Sequence, residues 1–438
     1  MKKIGFLEAF SIGVGGMVGG GIFAVLGLTI DLAKGAAPIA FLIAGLLALI
    51  TAYSYVKLSL RYPSEGGTIE FIVQAFGNNL FSSLINNLLL MSYVIMLSVY
   101  AYAFGSYGSA LFLGNDVEWL HKLLSSGVIL VFVFINLLGA FMTGKAEDFM
   151  VFLKLFILLG FVIIGIITFN PTQLNPKYWS DFLSVSTGGL IIFLAYEGFE
   201  LIANTARDVK NPEKTLPLAY YSSVIFVIIL YIGIAIITIG NVSFEEAKKA
   251  SDYVLAIAAK PYLGEFGFVI IAIAAMLSTA SAINATIYGA GRVGYLVAKL
   301  GEIPKTFEEK VKNGYEGMII LGLLGIIFSI SFNIQNISIA GSMGFLIVFS
   351  LVNLANFKLY KETKANRFIA GSGFLLTLIA TIILIGYNIT YNPKNLVSSS
   401  LVIFAVMILT YLYKKIENHQ LSEYMDKYLE RDEIDSTL

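Results

Sequence analysis

Apolar runs long enough to cross a bilayer recur from one end of this 438-residue sequence to the other, with only short polar connections between them. A helix needs roughly 17–25 mostly apolar residues to span the hydrocarbon core. Read between charged or Pro/Gly/Asn-rich breaks, the first six runs are Phe6 to Thr29, Ala37 to Leu60, Phe81 to Phe112, Ser125 to Phe141, Phe149 to Phe169 and Gly188 to Ala206. The second six are Leu216 to Ile239, Gly264 to Ala298, Gly317 to Phe332, Ile337 to Phe357, Phe368 to Ile389 and Ser398 to Tyr413. Charged residues make up 13% of the chain, against about 25% in soluble domains. The expected fold class is therefore an all-α integral membrane protein of about twelve spans, with the lipid bilayer as its surroundings.

An even count places both termini on one side. Lys and Arg concentrate in the N-terminus, the even-to-odd connections and the tail, so the positive-inside rule makes that side cytoplasmic and the expected location the cell membrane. The start MKKIGFLEAF has two lysines like a signal peptide, but its apolar run continues without a small-residue cleavage site and reads as the first span. The external connection GNVSFEEAKKASDYVLAIAAKPYLGEFG is expected to form a short surface helix, and residues 414–438 a solvated acidic cytoplasmic tail.

There is no cysteine, and His121 and His419 fall in a connection and in the tail, so neither a metal centre nor a cofactor is expected. A formal net charge of zero gives no basic field for nucleic acid.

Two spans are interrupted. The first contains MVGGGIFAVLG, with Gly19, Gly20 and Gly21 in a row. Each glycine inside a helix costs about 0.5–1 kcal/mol relative to alanine, and lipid offers freed backbone groups no partner. The sixth contains YEGFE, where Gly198 sits between Glu197 and Glu200. An acid at a helix centre costs about 2.5–3.5 kcal/mol on insertion scales and faces a protein interior or a watery cavity. If spans one to five (residues 1–169) and six to ten (187–357) are two repeats, the odd number inverts the second relative to the first, and the two breaks occupy matching positions. That pairing is the strongest sequence pointer to a transporter's binding site. Unwinding at Gly19 to Gly21 presents NH groups to a carboxylate, and carbonyls freed beside both breaks can accept from an ammonium, which together suit a zwitterionic amino acid. Small residues also let helices pack closely, and Gly15 to Gly19 has the GxxxG spacing.

These residues resemble the amino acid/polyamine/organocation transporters, which share the inverted-repeat fold of the bacterial leucine transporter. The stretches GGMVGGGIF, FLAYEGFELIANTARDVKNPEKTLP and NATIYGAGRVGYLVAKLGEIP carry the likeness over roughly residues 5 to 360. The resemblance implies discontinuous first and sixth helices, two additional C-terminal helices within 368–413, and a site in which the NH groups of Gly20 and Gly21, with Gly19, bind the substrate carboxylate. It further implies that the carbonyls of Met17, Leu194 and Glu197 take the amine beside Gly198, that Phe199 is a gating aromatic, with a packed core aromatic as the equal alternative, and that Glu200 ties the broken helix to its neighbours. Two departures stand out: Arg207 replaces a glutamate common before Asp-x-x-Asn-Pro, and Glu197 replaces an apolar residue. Glu197 is a partner for a basic substrate's amine, a buried, protonated acid, or a structural contact remote from lipid.

Tyr93, Tyr100 and Tyr107 share one face of the third span, either as core or along the substrate path. Asn284 and Arg292 read as structural or loop-anchoring. Lys154 is the lone charge inside the apolar run of the fifth span. It matches the lysine that replaces a coupling cation in proton-coupled members, which implies a bond to a carbonyl near Gly13 to Gly16 and to an eighth-span hydroxyl, Ser281 in preference to Ser278. The alternative is a lysine snorkelling to the cytoplasmic interface.

The function expected is proton-coupled symport of a small or medium neutral amino acid by alternating access. A basic amino acid or polyamine transporter or exchanger is the alternative, and a transporter-like sensor a further one. An enzyme is excluded by the inventory of catalytic pairs within the spans, and a channel by the absence of a repeated carbonyl filter or rings of like charge.

Overall fold

The computed structural model describes residues 3–139 and 144–416. The helices are α1 (Phe6–Met17), α2 (Gly21–Ala33), α3 (Ala37–Arg61), α4 (Thr68–Phe76), α5 (Leu80–Leu113), α6 (Glu118–Leu137), α7 (Gly144–Ile164), α8 (Phe182–Ile192), α9 (Pro212–Asn241), α10 (Phe244–Lys249), α11 (Val254–Lys299), α12 (Glu316–Ser331), α13 (Ile334–Lys358), α14 (Arg367–Tyr391) and α15 (Pro393–Ile416). Two 3-10 segments, Phe193–Tyr196 and Phe199–Asp208, follow α8, and a two-stranded hairpin, Lys310–Val311 with Gly314–Tyr315, precedes α12.

Among the described residues nine helices are long and apolar enough to cross a membrane. A tenth is formed if α1 and α2, bent by 47° at their break, make one span. Two shorter apolar helices, Phe149–Ile164 and Glu316–Ser331, lie where the fifth and ninth spans were expected. The end of the expected fourth span at Phe141, and residues 417–438 of the tail with His419, lie outside the described residues.

Several boundaries differ from the sequence reading for local reasons. The sixth span starts at Phe182 because the Asp181 carboxylate accepts from the Ser184 NH at 3.0 Å and caps the helix. α4 was not expected, since nine residues between two spans carry no membrane-length signal. The short helix expected in the connection after the seventh span is α10, opened by a capping box in which Ser243 and Glu246 bond each other's backbone NH. His121, expected in a connection, lies in the first turns of α6, buried and 2.9 Å from Asp116.

Burial sorts the helices into core and rim. In α5 and α13, 83% of the apolar window is buried, against 33% in α14 and 22% in α15. The last two helices therefore lie at the edge, with side chains such as Leu375, Ile382, Leu401 and Leu409 facing outward. α5 has 34 residues, about 51 Å at 1.5 Å per residue, which exceeds the roughly 30 Å hydrocarbon core, so it is long enough to span with tilt or with its ends beyond the hydrocarbon.

A central broken-helix site open towards the N-terminal face

The two interruptions touch each other. α1 ends at Met17 and α2 starts at Gly21. In the sixth span the chain leaves its first 3-10 segment at Tyr196, turns through Glu197 and Gly198, and resumes as 3-10 helix at Phe199. A mid-span change to 3-10 geometry is a recurring mark of functional hinges. Gly198 has φ +118°, and a Cβ placed there would lie 2.3 Å from the Gly16 carbonyl carbon. A Cβ on Gly20 would lie 2.4 Å from the Tyr100 ring, and one on Gly21 2.7 Å from the Ala195 Cα. The glycines thus serve both readings of the sequence: they interrupt the helices and let the interrupted segments meet backbone to backbone.

Side chains from three neighbouring helices, with Glu200 of the sixth span itself, satisfy freed backbone groups, as a buried break requires. Lys154 of α7, 5% exposed, donates from Nζ to the Gly15 carbonyl at 2.9 Å. Tyr231 of α9 donates to the Met17 carbonyl at 2.7 Å and to that of Ala195 at 3.1 Å, so one phenol bridges both breaks. Ser278 of α11 donates to the Gly19 carbonyl at 2.6 Å. The Glu200 carboxylate accepts from the Gly198 NH at 2.7 Å and from the Tyr93 hydroxyl of α5 at 3.4 Å.

A narrow cavity, with about 80 Å³ of room for water-sized contents, lies against this junction. Gly16, Gly198, Glu197, Lys154, Tyr93, Tyr100 and Ser281 line its inner end. The partly exposed Ile12, Leu201, Asn204, Thr286 and Val293 line its outer part. These belong to α1 before its break, the sixth span after its break, and the last third of α11. All three run to the face that carries the N-terminus, where the Ile4 NH donates to the Asp208 carbonyl at 2.8 Å. On the opposite side Ile22, Phe23, Ile191 and Ile192 are at most 1% exposed. The site is therefore open to the N-terminal face and sealed from the other.

Of the residues singled out in the sequence, Glu197, Gly198, Lys154 and Ser281 share the cavity wall, while Gly19 and Gly20 lie against Tyr100, another wall residue, and Gly21 against Ala195. Two of the expected acceptor carbonyls already have a partner within the protein, and Phe199 takes the second of its two expected places. Met17, expected to accept from a substrate amine, already accepts from Tyr231. The Leu194 carbonyl accepts from the Glu197 NH at 3.3 Å. Phe199 packs between Tyr55 and Phe349, with ring centroids at 5.5 and 5.4 Å, in the aromatic core rather than on the cavity. Ser281, expected to bond the Lys154 ammonium, lines the same cavity as Lys154, and Ser278 donates to the Gly19 carbonyl of the first break. Tyr231 was missed altogether: a single tyrosine within VIILYIGIAII gives no sequence signal beyond one polar atom in an apolar run.

Outside the spans, burial among Ser83, Asn86 and Asn87 of α5 raises the carboxyl of Glu302, in the turn after α11, to about 7. Burial likewise raises that of Glu70 in α4.

A bundle of apolar helices in which two discontinuous ones meet at a central, one-side-open cavity is the arrangement from which secondary transporters build their binding sites. The amino acid permease family matches residues 4–413, and the chain belongs to that family. It is 35% identical over 97% of its length to an uncharacterized protein of Methanocaldococcus jannaschii, covering 98% of that protein. It is 32% identical over 88% of its length to the inner membrane transport protein YbaT of Escherichia coli, covering 90% of that protein. Among solved structures, the manganese transporter of Eremococcus coleocola shares the fold, with a TM-score of 0.62 at 12% identity over 95% of both chains. The protein is accordingly a multi-pass membrane transporter and not an enzyme.

Proposed function

We propose that the protein carries small or medium neutral amino acids across the cell membrane by proton-coupled symport. Both termini are cytoplasmic, and residues 1–169 and 187–357 form the inverted repeats that rock around the breaks. The observation that carries the reading is Lys154, a buried ammonium bonded to the Gly15 carbonyl on the wall of the cavity that contains both breaks. A charge so placed can hold the first span in position when protonated and release it when the proton leaves, which links a proton to the geometry of the substrate site. The zwitterion is recognised by backbone: the first turn of α2 directs its NH groups at the break and suits a carboxylate, and the Glu197 carbonyl beside Gly198 suits an ammonium. Small and apolar walls, Ala282, Ala285 and Ile12 among them, leave room for a neutral side chain.

A second reading has an observation of its own: the Glu197 side chain lines the cavity and would attract the distal amine of a basic amino acid. Uptake of labelled amino acids into sodium-free liposomes under a pH gradient tests both. Neutral substrates accumulating in wild type and in Glu197→Gln support the first reading, whereas accumulation of lysine or arginine alone, lost in that variant, establishes the second. Uptake that requires sodium removes proton coupling from either.

A further inference from the structure

The loop YPSEGG, residues 62–67, joins α3 to α4 at the edge of the cavity mouth and is held from two sides. On one side Arg207, in the part of the sixth span that follows the break, donates from Nε to the Pro63 carbonyl at 2.9 Å. Asn204 of the same segment packs onto Gly67, where φ is +46° and a Cβ would lie 2.2 Å from the asparagine Oδ1. The loop is thus seated on the sixth span. On the other side the Glu65 carboxylate meets the Arg292 guanidinium of α11, with side chains 27% and 32% exposed. Asn204 and Val293, the neighbour of Arg292, lie on the cavity wall, so the loop crosses from one wall of the mouth to the other.

We propose that the Glu65–Arg292 ion pair holds the inner mouth at the narrow opening seen here and must part for the mouth to widen. In transporters of this architecture one group of helices moves against another around the fixed site. Widening the mouth to release substrate separates the inner half of the sixth span from α11. Seated on Arg207 and Asn204, the loop travels with the sixth span, and the contact that must part is the one between Glu65 and Arg292. This gives Arg207 a role: it is an anchor for the gating loop, and the ionic partner across the mouth is Arg292. The inference rests on the cavity being the transport path, but not on the substrate or the coupling ion.

The chain contains no cysteine, so a single Ala285→Cys on the cavity wall reports opening of the mouth by its labelling rate with a bulky, hydrophilic maleimide on protein in nanodiscs. Glu65→Gln and Arg292→Gln each raise that rate, by about two- to fivefold for a half-exposed pair. The charge reversal, Glu65→Arg with Arg292→Glu, returns it to the parent value, and also returns the monodispersity of any single variant that folds poorly. Unchanged labelling in both single variants overturns the proposal. So does a reversed pair that labels as fast as the single variants, because an ion pair is then not what holds the mouth. The labelling needs no transport, so a failure to find amino acid uptake bears on the proposed function and not on this result.

Discussion

Replacing Gly198 with alanine puts two separate costs on one atom. The backbone there has φ +118°, a region that L-residues rarely adopt, at a cost of about 1–3 kcal/mol. The new Cβ also meets the Gly16 carbonyl carbon at 2.3 Å and the Met17 nitrogen at 2.5 Å. Both are backbone atoms of the facing break, so no side chain can turn aside, and overpacking of this kind costs about another 1–3 kcal/mol. Together the loss is about 2–6 kcal/mol. Gly264 supplies the control: its φ is +60° and a Cβ placed there has no atom within 4 Å, so Gly264→Ala carries the strain without the clash. The apparent thermal midpoint in detergent, read beside substrate uptake, should fall about twice as far in Gly198→Ala as in Gly264→Ala, with uptake lost in the first. Equal shifts, or normal uptake in Gly198→Ala, would refute the backbone-to-backbone meeting of the two breaks.

Gly20→Ala meets a ring instead, the Tyr100 Cδ1 at 2.4 Å, so binding should be lost in the single variant and partly recovered with Tyr100→Leu; no recovery in a binding assay counts against this packing. Tyr231→Phe removes the hydroxyl shared by the Met17 and Ala195 carbonyls and should destabilise by about 1–3 kcal/mol by leaving buried carbonyls without a donor, seen as a lower midpoint at unchanged expression. The Glu302 carboxyl is raised from 4.5 to about 7 in the folded protein. The folded state therefore binds this proton more tightly than the unfolded one, and stability falls as pH climbs through that window, by up to about 3 kcal/mol. Glu302→Gln should flatten this part of the midpoint-versus-pH curve, and an unaltered curve contradicts the assignment.

The breaks and the coupling candidate were readable from sequence because each defies a strong physical preference. Three successive glycines in a span, two acids around Gly198, and a lone ammonium in the fifth span are all costly in lipid, and each cost points to a compensating partner. The partners themselves were not readable. Tyr231 is one phenol in an apolar run. Ser278 and Ser281 are three residues apart on one helix, so periodicity places them on nearly the same face, and only the packing of α11 against the first break separates the hydroxyl on Gly19 from the one on the cavity. Phe199 follows the break directly, but the turn at Gly198 directs it into the aromatic core. The Glu65–Arg292 pair joins positions 227 residues apart, which no local pattern reveals.

The most direct test of the central claim is Lys154→Ala assayed for both binding and concentration of substrate. If the ammonium on the Gly15 carbonyl couples a proton to transport, the variant still binds amino acid, shown by a ligand-induced rise in its thermal midpoint. It no longer accumulates substrate when a pH gradient is imposed without sodium, while wild type does. A Lys154→Ala protein that still concentrates amino acid under that gradient would contradict the account.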